Sequence, residues 1–287
     1  SVVGFRKSGI KFKDNQWYLN ADDNNKNRIV FDNNFQDVDI EELILSHDQE
    51  RISLMGQLKD STYKDLKANF NSVRLSHITP YIDSLKLSGV VNGGLNLLQQ
   101  DGAYYPDSKI TIDQFSINET LLGNLNLSIE GNETLTSYDI DTKLVNDGFE
   151  SLSAKGDINV SNNNPAINMD VQLRKLDLSA FSPLGGEVIS NIRGLASGRA
   201  TVTGDYKNPE INGELLLRQA GIKIPYLNTD YDFQGTARVT LNKQQFRFND
   251  VQLRDVKYKT EGQLTGTISH EAFSNWDLDL GVTTDRL

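Results

Sequence analysis

Apolar and polar residues alternate along most of this chain. Between Asp230 and Leu241 the odd positions are Tyr231, Phe233, Gly235, Ala237, Val239 and Leu241, and the even ones are Asp230, Asp232, Gln234, Thr236, Arg238 and Thr240. A period of two sends these sets to opposite faces of a pleated strand, one dry and one wet. The alternation recurs in Leu125, Leu127 and Ile129, in Leu152 to Val160, and in Ile167, Met169, Val171 and Leu173. It continues through Ala200 and Val202, Ile211, Leu215 and Leu217, Leu264 and Ile268, and Trp276, Leu278 and Leu280. Helical spacing is rare, so the pattern predicts an all-β chain.

Turn chemistry separates the predicted strands. Asn146-Asp147-Gly148 offers the residues that tolerate positive φ in a tight hairpin. Ser161 to Pro165 and Asn208-Pro209 read as polar turns, and Ala21 to Arg28 as a solvated loop. Glycines fall repeatedly in the apolar register, at Gly56, Gly123, Gly156, Gly204, Gly213, Gly235, Gly262 and Gly266. In a strand they mark a bend, a bulge or a close backbone approach, which suits a sheet that curls inward.

A longer repeat underlies the strands. Arg74-Leu-Ser-His-Ile-Thr-Pro80 matches Asp177-Leu-Ser-Ala-Phe-Ser-Pro183, 103 residues further on. Gly56-Gln-Leu58 finds Gly156-Asp-Ile158 and again Gly262-Gln-Leu264. The predicted organisation is one continuous domain: 1–39 the end of a preceding repeat, 40–143 a first unit, 144–248 a second, and 249–287 the start of a third. Each unit reads as strands, a short helical turn capped by Ser, then more strands.

Repeats of one design stack in a line, the apolar content of 37% is modest for a thick two-layer core, and glycine permits curvature. Together these favour an elongated, curled, antiparallel-rich sheet forming a groove. About 18 strands at ~4.8 Å spacing would extend it over roughly 85 Å. The guest that fits a featureless aliphatic strip is an acyl chain, each methylene contributing about 0.8 kcal/mol when it leaves water. A sandwich core filled by its own side chains buries the same residues, and the pattern alone leaves both open.

Composition narrows the chemistry. The chain has 287 residues, no Cys and a formal net charge of −10. An acidic chain lacks the basic face that phosphate neutralisation needs, so no nucleic acid is expected as a partner. No thiolate site or Cys nucleophile is available. His47, His77 and His270 lie far apart without metal-ligand spacing, His270 at a predicted turn, and no catalytic or nucleotide-binding motif occurs. Asp37 and Asp39, Asp139 and Asp141, Asp230 and Asp232, and Asp277 and Asp279 have the spacing that a wet face produces. Asp23, Asn25 and Asn27 resemble the start of an EF-hand loop, with Arg28 where glycine is needed. The reading is therefore not an enzyme, with no catalytic residue, no metal and no cofactor.

Several segments resemble a known family. They are Asn15-Gln-Trp17-Tyr-Leu-Asn20, Gly198-Arg-Ala-Thr-Val-Thr-Gly204, Asn208-Pro-Glu-Ile-Asn-Gly213 through Leu217, and Ile222-Lys-Ile-Pro-Tyr-Leu227. Tyr231-Asp-Phe233, Gly262 to His270 and Trp276-Asp-Leu-Asp-Leu280 complete the set. Together they look like TamB, the translocation and assembly module subunit, in its Bacteroidota form, a relative of the AsmA-like and bridge-type lipid transfer proteins. The resemblance implies a β-taco, an open solenoid-like groove with an apolar interior, and favours the groove over the self-filled core. It implies an internal to C-terminal fragment of a periplasmic protein of a Gram-negative bacterium, anchored in the inner membrane when full-length. The implied function is carriage of phospholipid between inner and outer membranes and support of outer-membrane protein assembly. The implied partners are phospholipid, both membranes, and a TamA-like outer-membrane barrel reached through regions outside this fragment.

The positions assigned to the groove lining begin with Leu125, Leu127, Ile129, Ile158, Val160, Ile167, Met169, Val171, Leu173 and Val202. They continue with Leu215, Leu217, Ile222, Ile224, Tyr231, Phe233, Val239 and Leu241, and end with Phe246, Phe248, Leu264, Ile268, Leu278 and Leu280. The alternatives are a carbohydrate-binding or adhesive β-solenoid, for which aromatics would cluster on the outer face, and a structural spacer with a self-filled core.

Overall fold

A computed structural model describes residues 1–34, 36–80 and 85–284. The last three positions of the expected third repeat unit lie outside the described residues. The fold is all-β: 20 strands join in one sheet, with one short α-helix and two 3₁₀ turns among the described residues. The strands fall into two compact units.

The first unit comprises Ser1–Tyr81, Leu87–Phe115 and Asn124–Thr142. Its early strands are β1 (Val2–Gly4), β2 (Ser8–Phe12), β3 (Asn15–Leu19), β4 (Arg28–Phe31), β5 (Asp37–His47), β6 (Glu50–Lys59) and β7 (Tyr63–Arg74). Helix α1 (Leu75–Ile78) follows, then β8 (Leu87–Gln100) and most of β9 (Ala103–Ile117). Strands β10 (Thr120–Gly131) and β11 (Ser137–Asn146) divide between the two units. Pairing is antiparallel, from β5 on β6 to β6 on β7 and β7 on β8. Trp17, Val73, Leu75, Val91 and Ile112 form the core, with Phe70, Ile78 and Leu125 packed against it.

The expected solvated loop between Ala21 and Arg28 is more ordered than its composition suggests. Asn20 and Asn27, at its edges, are both fully buried. Asn20 Nδ2 donates to the Phe5 carbonyl at 2.7 Å and to the Asn24 carbonyl at 2.9 Å. Asn27 Oδ1 accepts from the Ile44 N–H at 2.8 Å while its Nδ2 donates to Asn20 Oδ1 at 3.1 Å. These side chains complete backbone groups that no ladder reaches.

The second unit comprises Ile82–Lys86, Ser116–Gly123 and Lys143–Leu287. Its strands are β12 (Phe149–Asn159), β13 (Ala166–Asp177), β14 (Ser190–Asp205), β15 (Glu210–Ile224), β16 (Thr229–Phe233), β17 (Thr236–Lys243), β18 (Gln245–Asp255), β19 (Glu261–Glu271) and β20 (Ser274–Thr284). A 3₁₀ helix, η1 (Leu178–Gly185), separates β13 from β14, and a single turn, η2 (Pro225–Leu227), separates β15 from β16. The order β6-β7-α1-β8 thus parallels β12-β13-η1-β14. The turn between β11 and β12 holds Asp147 at φ 48° and Gly148 at φ 75°, the left-handed pair that its sequence predicts.

Two local expectations are corrected. No serine caps the helical turns: Asp177 Oδ1 accepts from the Ser179 N–H at 2.9 Å, and the equivalent Arg74 offers no side-chain cap. Asp230 to Leu241 is two strands, because Gly235, at φ 68°, turns the chain between β16 and β17. Most of the other glycines serve the close backbone approach expected of them, Gly204 excepted. At Gly213 a Cβ would collide with the Arg199 carbonyl on the neighbouring strand, a contact that only a hydrogen permits.

Bulges crease the long strands. In β15, Leu217 is buried, Arg218 and Gln219 are both exposed, and Ala220, Ile222 and Ile224 are buried. The dry face therefore passes from odd to even positions across Gln219, whose φ is 50°. β18 does the same at Asn249-Asp250, β13 at Arg174-Lys175, β7 at Asn71-Ser72 and β9 at Asp113-Gln114. Before its crease β15 pairs with β17, and after it with β16. β18 likewise pairs with β17 through Gln245–Phe248 and with β16 through Leu253–Asp255. A neighbouring side chain satisfies the displaced backbone in the first unit: Asn92 Oδ1 accepts from the Ser72 N–H at 2.8 Å.

Candidate functional site

Within the second unit the dry positions line up across strands. Leu152, Leu173, Gly198, Leu215, Val239, Phe248, Gly266 and Leu280 are successive register partners from β12 to β20. The next row runs through Ala154, Val171, Ala200, Gly213, Leu241, Phe246, Ile268 and Leu278. Directly opposed residues share a face, so each row is a continuous apolar line interrupted only by glycine or alanine. A third row holds Met169, Val202 and Ile211. Ile158 pairs with Ile167.

Where the crease turns the sheet toward η1, these rows bound an apolar hollow of about 240 Å³. β15 supplies Leu215, Leu217, Ala220 and Ile222, and β18 supplies Phe246 and Phe248. Phe233, Val239 and Ile268 come from three further strands, while Leu178, Phe181 and Leu184 of η1 form the facing wall. Ile189, Ile192, Phe273 and Trp276 complete it. The Trp276 indole donates from Nε1 to the Leu184 carbonyl at 2.9 Å, fixing β20 to η1. Phe233 and Phe248 meet edge to face with centroids 6.0 Å apart.

One charged residue, Arg193, lies among the lining residues. Its guanidinium is held outward by Asp230 at 2.9 Å and by Asp232 at 2.7 Å, and it donates to the Tyr231 carbonyl at 3.0 Å. The stem lies along the hollow and the charge is neutralised at its edge. This accounts for one of the carboxylate pairs noted in the sequence.

His270 stands beside the hollow as the last but one residue of β19, and it is buried, where a turn position was expected. Its ring stacks on Phe273 at 4.6 Å and packs against Trp276 and Phe246 at 5.0 and 5.3 Å. Nδ1 accepts from the Phe273 N–H at 3.1 Å, and burial lowers the imidazole pKa from its ordinary 6.5. The alternation placed this residue near a turn, but three aromatic side chains cover it.

Of the residues assigned from sequence, Leu215, Leu217, Ile222, Phe233, Val239, Phe246, Phe248 and Ile268 line the hollow. Ile158, Ile167, Met169, Val171, Leu173, Val202, Leu241, Leu278 and Leu280 lie along the rows beside it, and Ile224 and Leu264 are buried elsewhere in the unit. Tyr231 lines a separate hollow of mixed polarity, about 480 Å³, with Leu253, Asp255 and Tyr258. Val160 lies past the end of β12 and is 38% exposed, because the turn begins at Asn159, whose side chain accepts from the Ser161 N–H. Leu125, Leu127 and Ile129 lie half-buried in the part of β10 that belongs to the first unit. Sequence reasoning missed the whole η1 wall, Ala220, Ile189, Ile192 and Phe273, and did not assign Trp276 to the lining. A consecutive polar pair inside an alternating run was the signal for Ala220.

His47 and His77, apart in sequence, come together in the first unit. Their rings lie 5.2 Å apart, and Glu50 brings a carboxylate oxygen within 4.8 Å of a nitrogen of each. No helix among the described residues is long and apolar enough to cross a membrane.

No curated protein and no solved structure matches the chain. The sequence model of a family described as TamB, N-terminal domain, matches residues 8–217. That span takes in both short helices α1 and η1 and ends at Leu217, inside the hollow. With more than half its length matched and an all-β fold of creased apolar rows, the chain belongs to the TamB N-terminal domain family.

Proposed function

We propose that this chain is a periplasmic part of a TamB-like protein that carries phospholipid acyl chains along an apolar β-groove between the inner and outer membranes. In this reading the longer protein is anchored in the inner membrane and acts in the translocation and assembly module with a TamA-like outer-membrane barrel, supporting outer-membrane protein assembly. The repeat units at 40–143 and 144–248 are successive segments of one conduit.

The observation that carries this reading is the apolar hollow bounded by Leu215, Phe246 and the η1 wall, continuous with rows of aliphatic residues that cross eight strands. Small-molecule sites commonly enclose ~300–1,000 Å³, so a hollow of about 240 Å³ suits a stretch of one hydrocarbon chain. Binding there needs no directional contact, since each buried methylene contributes about 0.8 kcal/mol wherever it lies along the strip. The rows let a chain exchange like for like as it moves.

A photo-reactive phenylalanine at Leu215, compared with one at the adjacent exposed Glu214, tests the proposal. Expressed in a Gram-negative host and irradiated, the Leu215 probe crosslinks phospholipid and the Glu214 probe does not. Equal labelling at both positions, or none at Leu215, would overturn it. Absence of labelling at Leu215 is the outcome that the self-filled spacer requires, a reading supported by the close packing of Phe233 on Phe248.

A further inference from the structure

The hairpin joining β5 and β6 places His47 directly opposite Glu50, as the last register pair before the turn. β7 then returns beside β6, and α1 brings His77 over the same hairpin end. Glu50 is 3% exposed, an unusual position for a carboxylate. Its Oε2 accepts from the Arg74 backbone N–H at 2.9 Å, which fixes the carboxylate plane. Its Oε1 lies 2.8 Å from His77 Nδ1, yet the two are not in hydrogen-bond geometry. Both atoms are buried and without a hydrogen-bond partner.

His47 completes the arrangement from the other side. Its Nδ1 contacts the Gln16 carbonyl at 2.8 Å, and its Nε2 faces the cluster's edge with the exposed Asp48 carboxylate 3.7 Å away. A backbone carbonyl holding one ring nitrogen while the other is left to bind is the usual outer support of a metal-ligating histidine. Trp17 backs the ring at 5.5 Å. One potential ligand atom from each of His47, Glu50 and His77 lies within 4.8 Å of the other two. The guanidinium of Arg74 stands 3.8 Å from Glu50 Oε1 and projects to the surface.

We infer that His47, Glu50 and His77 bind a divalent transition-metal cation of the zinc class. Bonds of ~2.0–2.2 Å from two imidazoles and one carboxylate would place such an ion at their centre with a fourth, solvent-facing position. Imidazole donors select zinc-class ions over magnesium or calcium, which prefer all-oxygen shells. The ion would pin α1 to the β5-β6 hairpin and so act as a staple. This site lies in the first unit and does not depend on the lipid reading.

The test uses the full, untagged chain, stripped with chelator and dialysed. Zinc titrated by calorimetry should bind with a stoichiometry of one and raise the melting temperature. Cobalt(II) should give the visible absorption of a low-coordinate nitrogen and oxygen site. His77→Ala should abolish both signals, and His47→Ala should weaken zinc binding by at least about 10–100-fold while keeping the far-ultraviolet spectrum of the parent. Because the chain is acidic, His47→Ala/His77→Ala is the control for loose carboxylate binding. Equal zinc heats in parent and double variant, or no saturable binding in the parent, would overturn the inference and leave a simple His77–Glu50 ion pair.

Discussion

Trp276 and Leu184 are joined by one hydrogen bond, indole N–H to carbonyl, at 2.9 Å across 92 positions of sequence. The bond attaches β20 to η1 and so holds the far wall of the apolar hollow against its floor. A phenylalanine ring would pack there without the indole donor to the Leu184 carbonyl.

Trp276→Phe keeps the packing and removes the donor. Unfolding in urea, followed by circular dichroism, should show a loss of about 1–2 kcal/mol, the cost of an unmade bond to a part-buried acceptor. An unchanged midpoint would mean that the wall is held by packing alone.

His270 sets a pH dependence. Burial lowers its pKa in the fold below the ordinary 6.5 that it regains on unfolding. Between those two values the unfolded state binds the extra proton, so stability rises with pH there. The contribution is fully present above pH 6.5 and is lost as pH falls toward the lowered value. Melting temperatures measured between pH 7.5 and 5 should fall more steeply for the parent than for His270→Phe. Parallel curves would show that His270 is not the titrating group.

Gly213 and Gly235 serve different ends, and alanine separates them. Gly235→Ala meets open space but keeps a left-handed φ, which costs about 1–2 kcal/mol. Gly213→Ala drives a methyl group into the Arg199 carbonyl, so its cost should exceed that of Gly235→Ala. Equal denaturation midpoints would mean that the neighbouring strand moves aside freely.

Asn27→Ala leaves the Ile44 N–H without its acceptor in a buried site. A loss of about 1–3 kcal/mol is expected. Hydrogen exchange at the Ile44 amide should accelerate by the corresponding factor of about 5–150, and unaltered protection would show that another group takes over.

Much of this fold was legible because a period of two is a strong signal over strands of ten or more residues. Leu215 and Leu217, Val239 and Leu241, and Phe246 and Phe248 all face the side that alternation assigned. The hairpin at Asp147-Gly148 was equally clear, since its residues are dictated by backbone sterics. What stayed hidden lay between strands or across a crease. Leu178, Phe181 and Leu184 sit on a 3₁₀ turn too short to show a helical period, and their partners are far away in sequence. Glu50 and His77 become neighbours only because β7 returns along β6, which no local spacing announces. Asn20 and Asn27 read as solvated by type, and only the pattern of unpaired backbone groups around them makes burial favourable.

The paired polar residues at Arg218-Gln219, Asn249-Asp250 and Arg174-Lys175 act as a change of reading frame within a strand. On either side of such a pair, segments can lengthen or shorten by two residues without exchanging inner for outer side chains. Loss of one residue from such a pair removes the bulge and keeps Ala220, Ile222 and Ile224 inside, whereas loss of one residue elsewhere in the strand inverts the side chains beyond it. Indels within these strands are therefore tolerated by parity, and deletion of Gln219 should straighten the crease while leaving the apolar residues on one face.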